Sequence, residues 1–320
     1  MWEEEGFAKT FSHHSCEDFA LGKIVPYFQF LLAKILGFFV TLLPEGPSLW
    51  VGRRLGALAY YLVGERREVA LENLRLVLGP ERSEQEIRSM AKRVFQNLGM
   101  TAVEFFRMPR MDEETLGQKV EVEGVEVFEG LLDNNRGGFL LLSHLGNWEL
   151  MAPCGRFLGL GVSVVAKPIK KNPWLDRWVR EIREGAGLEV IPTGGASKKV
   201  LRALSRGRWI GILIDQRAKR REAVWVNFFG RKAPTTPALS VLALRTRAPV
   251  VPVFMVREEG GRHRLIFKEP VKLVDTGDVK GDIEVNTGQM TQILESMIRQ
   301  YPDQWFWVHR RWERKKKSRP

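Results

Sequence analysis

The sequence predicts an α/β domain with a central, largely parallel sheet flanked by helices, preceded by a membrane-associated N-terminal helix. Three observations carry that prediction. From Gly124 onward, short apolar runs rich in Val, Ile and Leu alternate with helical stretches, the texture of strands joined by crossover helices. Residues 83–108 place Ile87, Met90, Ala91, Val94, Phe95, Leu98, Ala102 and Phe105 at helical spacing behind a Ser83/Glu86 capping box. From Ile24 to Leu43, fifteen of twenty residues are hydrophobic, enough to span a bilayer core of about 30 Å.

In chain order, the expected strands are Gly138–Ser143, Val162–Ala166, Leu188–Ile191, Trp209–Ile214, Pro249–Val256 and His263–Lys268. Helices are expected at 147–158, 173–184, 197–206, 237–246 and about 284–299. In such a sheet, polar residues just beyond the strand ends form the functional rim. The 320 residues suit one large domain or two small ones. With 44% hydrophobic and 28% charged residues, the composition excludes fibrous and disordered classes. Cys16 and Cys154, the two cysteines, lie far apart without metal-type spacing, which fits a reducing compartment.

The segment 24–43 follows an acidic stretch and precedes no small-residue cleavage site, so it reads as retained and not as a signal peptide. Lys34 at its centre costs a spanning helix about 2.5–3.5 kcal/mol. A span and a helix lying in the interface are therefore equally favoured, with a buried soluble helix as the third option. The basic excess of +12 points to anionic partners. One source is His309–Pro320, net +6 and joined to Trp305, Phe306, Trp307 and Trp312; another is Lys198–Arg221, net +8. Aromatic and basic residues together suit an anionic membrane surface. They also suit nucleic acid, but without any nucleic-acid-binding signature that partner is the weaker alternative. Solvated faces account for either run equally simply.

The chemistry-bearing candidates cluster at strand ends. His144 follows GFLLLS where a strand gives way to a turn that Gly146 permits, and Glu149 falls in the first turn of the next helix. Across that turn the carboxylate can hold one ring nitrogen and leave the other free as a general base. A hydrogen-bonded rim histidine beside a helix-dipole carboxylate is the alternative. The sequence contains no nucleophile elbow, Walker loop or H-E-x-x-H, which disfavours covalent serine, nucleotide and zinc-protease chemistry.

The block His144-Leu145-Gly146-Asn147-Trp148-Glu149 resembles the H-x4-D/E motif of glycerolipid acyltransferases, in the form used by the late lauroyl and myristoyl acyltransferases of lipid A biosynthesis. Three further blocks resemble that family in order: Ile214-Asp215-Gln216, Phe228-Phe229-Gly230 with Pro234-Thr235-Thr236, and Tyr301-Pro302 with Gln304 to Trp312. The likeness runs from about residue 25 to 314. It departs at Ala166-Lys167-Pro168, where the family commonly has arginine before proline; lysine keeps the charge but loses the bidentate fork. The chain then divides into an N-terminal extension of disordered character (1–23), a membrane anchor or interfacial helix (24–43), an acyltransferase domain (44–314) and a basic tail (315–320).

The resemblance implies transfer of a fatty acyl chain from an acyl carrier protein or coenzyme A thioester to a hydroxyl of a membrane glycolipid, with a lipid A precursor as acceptor. It places the catalytic domain at the cytoplasmic face of the inner membrane. His144, oriented by Glu149, acts as general base. Gly146 and Asn147 amides with Lys167 stabilise the oxyanion, and Asp215 positions the base or acceptor. Arg217, Lys219, Arg220, Arg221, Arg310 and Arg311 bind acceptor phosphates or the acidic carrier protein. Trp148, Phe228 and Phe229 are acyl-channel or core residues. This chemistry calls for no metal and no cofactor beyond the acyl donor as co-substrate. The alternatives are the same chemistry on a phosphatidylinositol mannoside, lysophospholipid or amino-lipid, and a non-catalytic basic membrane or nucleic-acid binder.

Overall fold

The computed structural model describes residues 14–132 and 137–313. Residues 1–13 of the extension, residue 314 and the whole basic tail (315–320) lie outside the described residues. Four helices lead the chain: α1 (His14–Leu42), α2 (Glu45–Leu62), α3 (Gly64–Leu78) and α4 (Glu84–Arg107). The Ser83/Glu86 capping box is formed at the start of α4, satisfying amides that the first helical turn leaves open. α2 crosses α4 through glycines, because a Cβ on Gly56 would lie 2.1 Å from the Phe95 carbonyl oxygen, and one on Gly99 2.1 Å from that of Gly52.

After α5 (Glu113–Lys119), β1 (Val120–Glu123) and α6 (Glu126–Leu132), strands and helices alternate: β2 (Gly138–Leu142), α7 (Met151–Phe157), β3 (Val162–Ala166), α8 (Pro173–Gly185), β4 (Glu189–Pro192), α9 (Ala196–Leu204) and β5 (Trp209–Leu213). A hairpin of β6 (Val224–Phe228) and β7 (Arg231–Thr235) follows, then α10 (Ala238–Thr246), β8 (Val250–Arg257), β9 (His263–Phe267) and α11 (Val279–Gln300). The seven-stranded sheet has the order β1-β9-β8-β2-β5-β3-β4. Every neighbouring pair is parallel except β8 with β9. The largely parallel sheet flanked by helices is thus the architecture observed.

Strand alternation sends Phe139, Leu141, Ile210, Ile212 and Phe254 into one core with α3, α4, α10 and α11. Leu140, Leu142, Val162, Val253 and Leu265 face a second core on the side of α7 and α8. β2 is buried along its whole length, as a central parallel strand should be. Three features differ from the sequence expectation. The helix expected at 147–158 is split into a 3-10 turn at Trp148–Leu150 and α7. The last helix starts earlier, at Val279, where the Asp278 side chain accepts from the Gly281 amide. The β6–β7 hairpin turns on Phe229 and Gly230, both at positive φ (52° and 69°), so it lacks the Asn-Gly signature by which such turns are read.

Candidate active site

The site is built where β2 and β5, neighbours in the sheet, both end. Beyond β2 the chain turns sharply at Gly146, whose φ is 60° and where a Cβ would meet the Met255 carbonyl oxygen at 1.8 Å; only glycine fits that position. The turn is clamped from two sides. Gly146 N donates to Gln304 O (3.0 Å), Asn147 N to Met255 O (3.1 Å), and Phe306 N to His144 O (3.0 Å). The segment after α11 therefore lies across the turn like a strap.

Within this frame His144 Nδ1 hydrogen-bonds Asp215 Oδ1 at 2.8 Å, and the His144 amide donates to Asp215 Oδ2 at 2.8 Å. Trp305 Nε1 donates to the same oxygen at 2.8 Å. Burial of Asp215 works against its charge, but His144 and the donors from His144 and Trp305 outweigh it and hold the carboxyl below its ordinary range. An ionised Asp215 accepts from Nδ1–H, which leaves Nε2 as the unprotonated, basic nitrogen. The His144 side chain is 21% exposed and that of Asp215 1%. Trp148 and Phe306 rings lie 5.1 Å and 5.7 Å from the imidazole, and Gln216 Nε2 lies 3.3 Å from His144 Nε2.

Several sequence expectations need correction here. The carboxylate that holds the His144 ring is Asp215 and not Glu149. Glu149 is taken by Arg183, which donates from Nε (3.0 Å) and Nη2 (2.6 Å), and by Trp148 Nε1 (3.2 Å). Burial works against the Arg183 charge, but the Glu149 hydrogen bonds and charge outweigh it and raise Arg183 above its ordinary value. The Gly146 and Asn147 amides are spent on the clamp, so they cannot serve as oxyanion donors. The Asn147 side chain donates to Glu104 at 2.7 Å, away from His144. Arg311 is fully buried, donates to Pro234 O and Thr235 Oγ1, and is pushed down to about 10 by burial; it braces the hairpin and is closed to solvent, not an exposed cation. Phe228 and Phe229 pack with Trp305, Trp307 and Trp312, forming core and no channel wall.

A cavity of about 380 Å³ opens at His144 and runs between the sheet and α7, a size typical of small-molecule sites. Its mouth carries His144, Trp148, Glu149, Lys167, Arg183 and Gln216, while Leu142, Ala152, Gly155, Val162, Val253 and Phe267 line its apolar interior. Trp148 and Lys167 both line this cavity. Arg217, Lys219, Arg220 and Arg221 are exposed on the loop after β5, and Arg310 is an exposed partner of Glu65. Among the described residues, no group of three His, Cys, Asp or Glu side chains is placed to hold a metal ion.

Site residues that sequence reasoning missed are Arg183, Gln216, Trp305, Phe306 and His309. Four of these, Gln216, Trp305, Phe306 and His309, stood inside quoted blocks without a role at the site, and only the tertiary structure shows what they touch. His309 accepts from the Arg217 amide at 3.2 Å and is pushed down to about 4 by burial, so it is neutral and not part of a charged tail.

The sequence profile of the bacterial lipid A biosynthesis acyltransferases matches residues 21–314. The chain belongs to that family. Among relatives of this lipid A acyltransferase-family chain, a phosphatidylinositol mannoside acyltransferase of Mycolicibacterium smegmatis is 30% identical over 214 residues, 65% of this chain and 67% of that protein. The lipid A biosynthesis lauroyltransferase of Escherichia coli is 28% identical over 286 residues, covering 88% and 89% of the two chains. The palmitoleoyltransferase of the same bacterium is 26% identical, covering 87% of each. This family member is accordingly an acyltransferase acting on a lipid acceptor, with one N-terminal helix apolar enough for membrane anchoring.

Proposed function

We propose that the protein moves a fatty acyl chain from an acyl carrier protein or coenzyme A thioester to a hydroxyl of a membrane glycolipid, a lipid A precursor, at the cytoplasmic face of the inner membrane. The observation that carries this reading is His144, tied through Nδ1 to buried Asp215, at the mouth of an apolar cavity. The acyl chain occupies the cavity, which brings its thioester carbon to the mouth. His144 Nε2 takes the acceptor hydroxyl proton as the oxygen attacks that carbon. Collapse of the tetrahedral intermediate expels the thiolate, and His144 returns the proton to sulfur. The oxyanion meets the Gln216 side-chain amide and the Lys167 ammonium, in place of the Gly146 and Asn147 amides. Glu149 acts through Arg183, fixing its guanidinium at the mouth where a phosphate of donor or acceptor would lie.

The exposed cations Arg217, Lys219, Arg220 and Arg221 suit an acidic carrier protein or acceptor phosphates. No cofactor enters the step; the thioester is a co-substrate. Coverage of nearly the whole chain favours the lipid A acceptor, while the mannoside acyltransferase relative at 30% identity supports a second reading on that glycolipid. The test is acyl transfer by the purified full chain in detergent, with both donors and both acceptors, followed by mass spectrometry of the lipids. Transfer should fall by about 10²–10⁴-fold in His144→Ala; near-normal transfer by that variant would remove the mechanism. Donor hydrolysis that depends on His144, without acylation of either lipid, would remove both acceptors.

A further inference from the structure

The apolar helix α1 does not stand away from the catalytic domain. It lies along it. Pro26, Phe30, Ala33, Gly37 and Val40, spaced by alternate steps of four and three and flanked by Leu31 and Thr41, are its less exposed positions from Ile24 on, one seam down the helix. Tyr27 and Phe30 meet Trp174 and Trp178 of α8 at 5.4 Å and 6.0 Å. Further along, a Cβ on Gly37 would sit 3.2 Å from the Phe106 ring of α4. Polar side chains tether both ends of its apolar segment: Asn172 Nδ2 donates to Pro26 O (2.7 Å), Arg110 to Thr41 O (3.3 Å) and Arg107 to Leu43 O (2.7 Å). Pro26 to Thr41 is about 22 Å of helix, most of the thickness of a hydrocarbon core.

A helix held in this way cannot cross a bilayer alone. A crossing would carry α8 with it, including Arg177, whose side chain is 83% exposed beside Trp178, and its partner Glu181; such charges are expelled from hydrocarbon. We propose that α1 lies in the plane of the membrane, one leaflet deep, and that α2 lies beside it as a second interfacial helix. The partner is an anionic lipid surface.

Charge and side-chain character support that occupant. α2 exposes Trp50, Leu58, Tyr61 and Leu62 together with Arg53 and Arg54, and the Arg54 guanidinium lies 5.2 Å from the Trp50 ring. Trp, Tyr and basic residues beside leucines are the composition of a headgroup boundary. Lys34, costly in the middle of a span, is exposed on α1 and in this orientation snorkels to the headgroups. The loop between β3 and α8 joins this face to the site. Lys167 lines the cavity mouth, Ile169 is 37% exposed, Lys170 and Lys171 have no ion-pair partner among the described residues, and Asn172 is the tether to α1. The mouth of the cavity therefore opens at the lipid surface.

The test is nitroxide depth measurement on the full chain in vesicles of phosphatidylethanolamine and phosphatidylglycerol, in a Cys16→Ser background where buried Cys154 escapes labelling. Labels go at Phe28→Cys, Ile35→Cys and Leu42→Cys, exposed positions seven residues apart on one face of α1, and at Leu58→Cys on α2. All four should report a shallow depth of about 5–10 Å. A profile with position 35 deepest, about 15 Å down near the bilayer centre, and position 58 in water would overturn the proposal, as would all four labels in water. Leu32→Cys and Phe39→Cys on the same helix replace any variant that fails to fold. Depth is read without any acyl transfer, so failure of the proposed reaction leaves this result intact.

Discussion

Two histidine–carboxylate centres sit back to back in this protein. At the cavity mouth Asp215 holds His144. Behind the turn, Glu104 accepts from His263 Nε2 (2.8 Å), from Arg257 Nη1 (3.1 Å) and Nη2, and from Asn147 (2.7 Å), with Lys119 Nζ at 3.2 Å. Glu104 and His263 are both closed to solvent. Burial works against the Glu104 charge, yet Arg257 and His263 outweigh it and hold the carboxyl well below its ordinary range, while burial pushes His263 down. The residue chemistry of the two centres is nearly the same. What differs is where the second ring nitrogen points: His144 Nε2 serves the cavity mouth, whereas His263 Nδ1 is buried without a partner. A histidine–carboxylate pair becomes a candidate base through its opening, and the closed one is a structural brace that reaches the turn through Asn147.

Breaking the first centre should have the largest effect. Asp215→Asn keeps a hydrogen-bonding side chain beside Trp305 but no longer fixes the Nδ1–H form of His144. Transfer should then drop by about 10²–10⁴-fold with the melting temperature little changed; wild-type turnover would show that Asp215 is not the orienting carboxylate. Breaking the second centre should reverse the pattern. Glu104→Gln leaves Arg257 buried without its anion, while Lys119 keeps Glu45, at a cost of about 3–5 kcal/mol in denaturant unfolding, and should lower turnover per folded molecule far less than Asp215→Asn. Equal losses of turnover in the two variants would abolish the distinction.

The smallest effect concerns His309, which lies near His144 and Asp215. Folded His309 stays neutral down to about 4, against an ordinary value of 6.5. The unfolded chain binds that proton first, so this group's contribution to stability shrinks as pH falls from about 6.5 to 4. His309→Gln should flatten the stability difference between pH 7 and pH 5, by on the order of 1 kcal/mol after solvent screening. Some slope should remain from His263, depressed in the same direction. An unchanged difference in urea unfolding at the two pH values would show that His309 titrates as a free residue.

Some of this was legible from local pattern. The strands at 138–143, 162–166 and 209–214 were readable because their apolar runs are short and bounded, and α4 because its stripe has helical spacing behind a capping box. β1 was missed although Val120 and Val122 alternate with Glu121 and Glu123, a period-two signal only four residues long. Proximity in sequence suggested Glu149 as the partner of His144. The 3-10 turn at Trp148–Leu150 instead presents Glu149 to Arg183, and Asp215, 71 residues from His144, arrives from the adjacent strand. Arg311 reads as one more cation in a basic run until the strap buries it against Phe228.

The sequence by itself determined the alternation of strand and helix, the need for glycine at the turn after β2, the placing of His144 at a strand end and the apolar length of α1, because each follows from the chemistry of neighbouring residues. Only the tertiary structure decided which carboxylate holds the histidine, which amides are already engaged, and which cations are buried. Those outcomes depend on strand order β2-β5 and on the strap that lays Gln304, Trp305 and Phe306 over the turn. Contacts between residues tens to hundreds of positions apart are set by packing of the whole chain, and no local spacing encodes them.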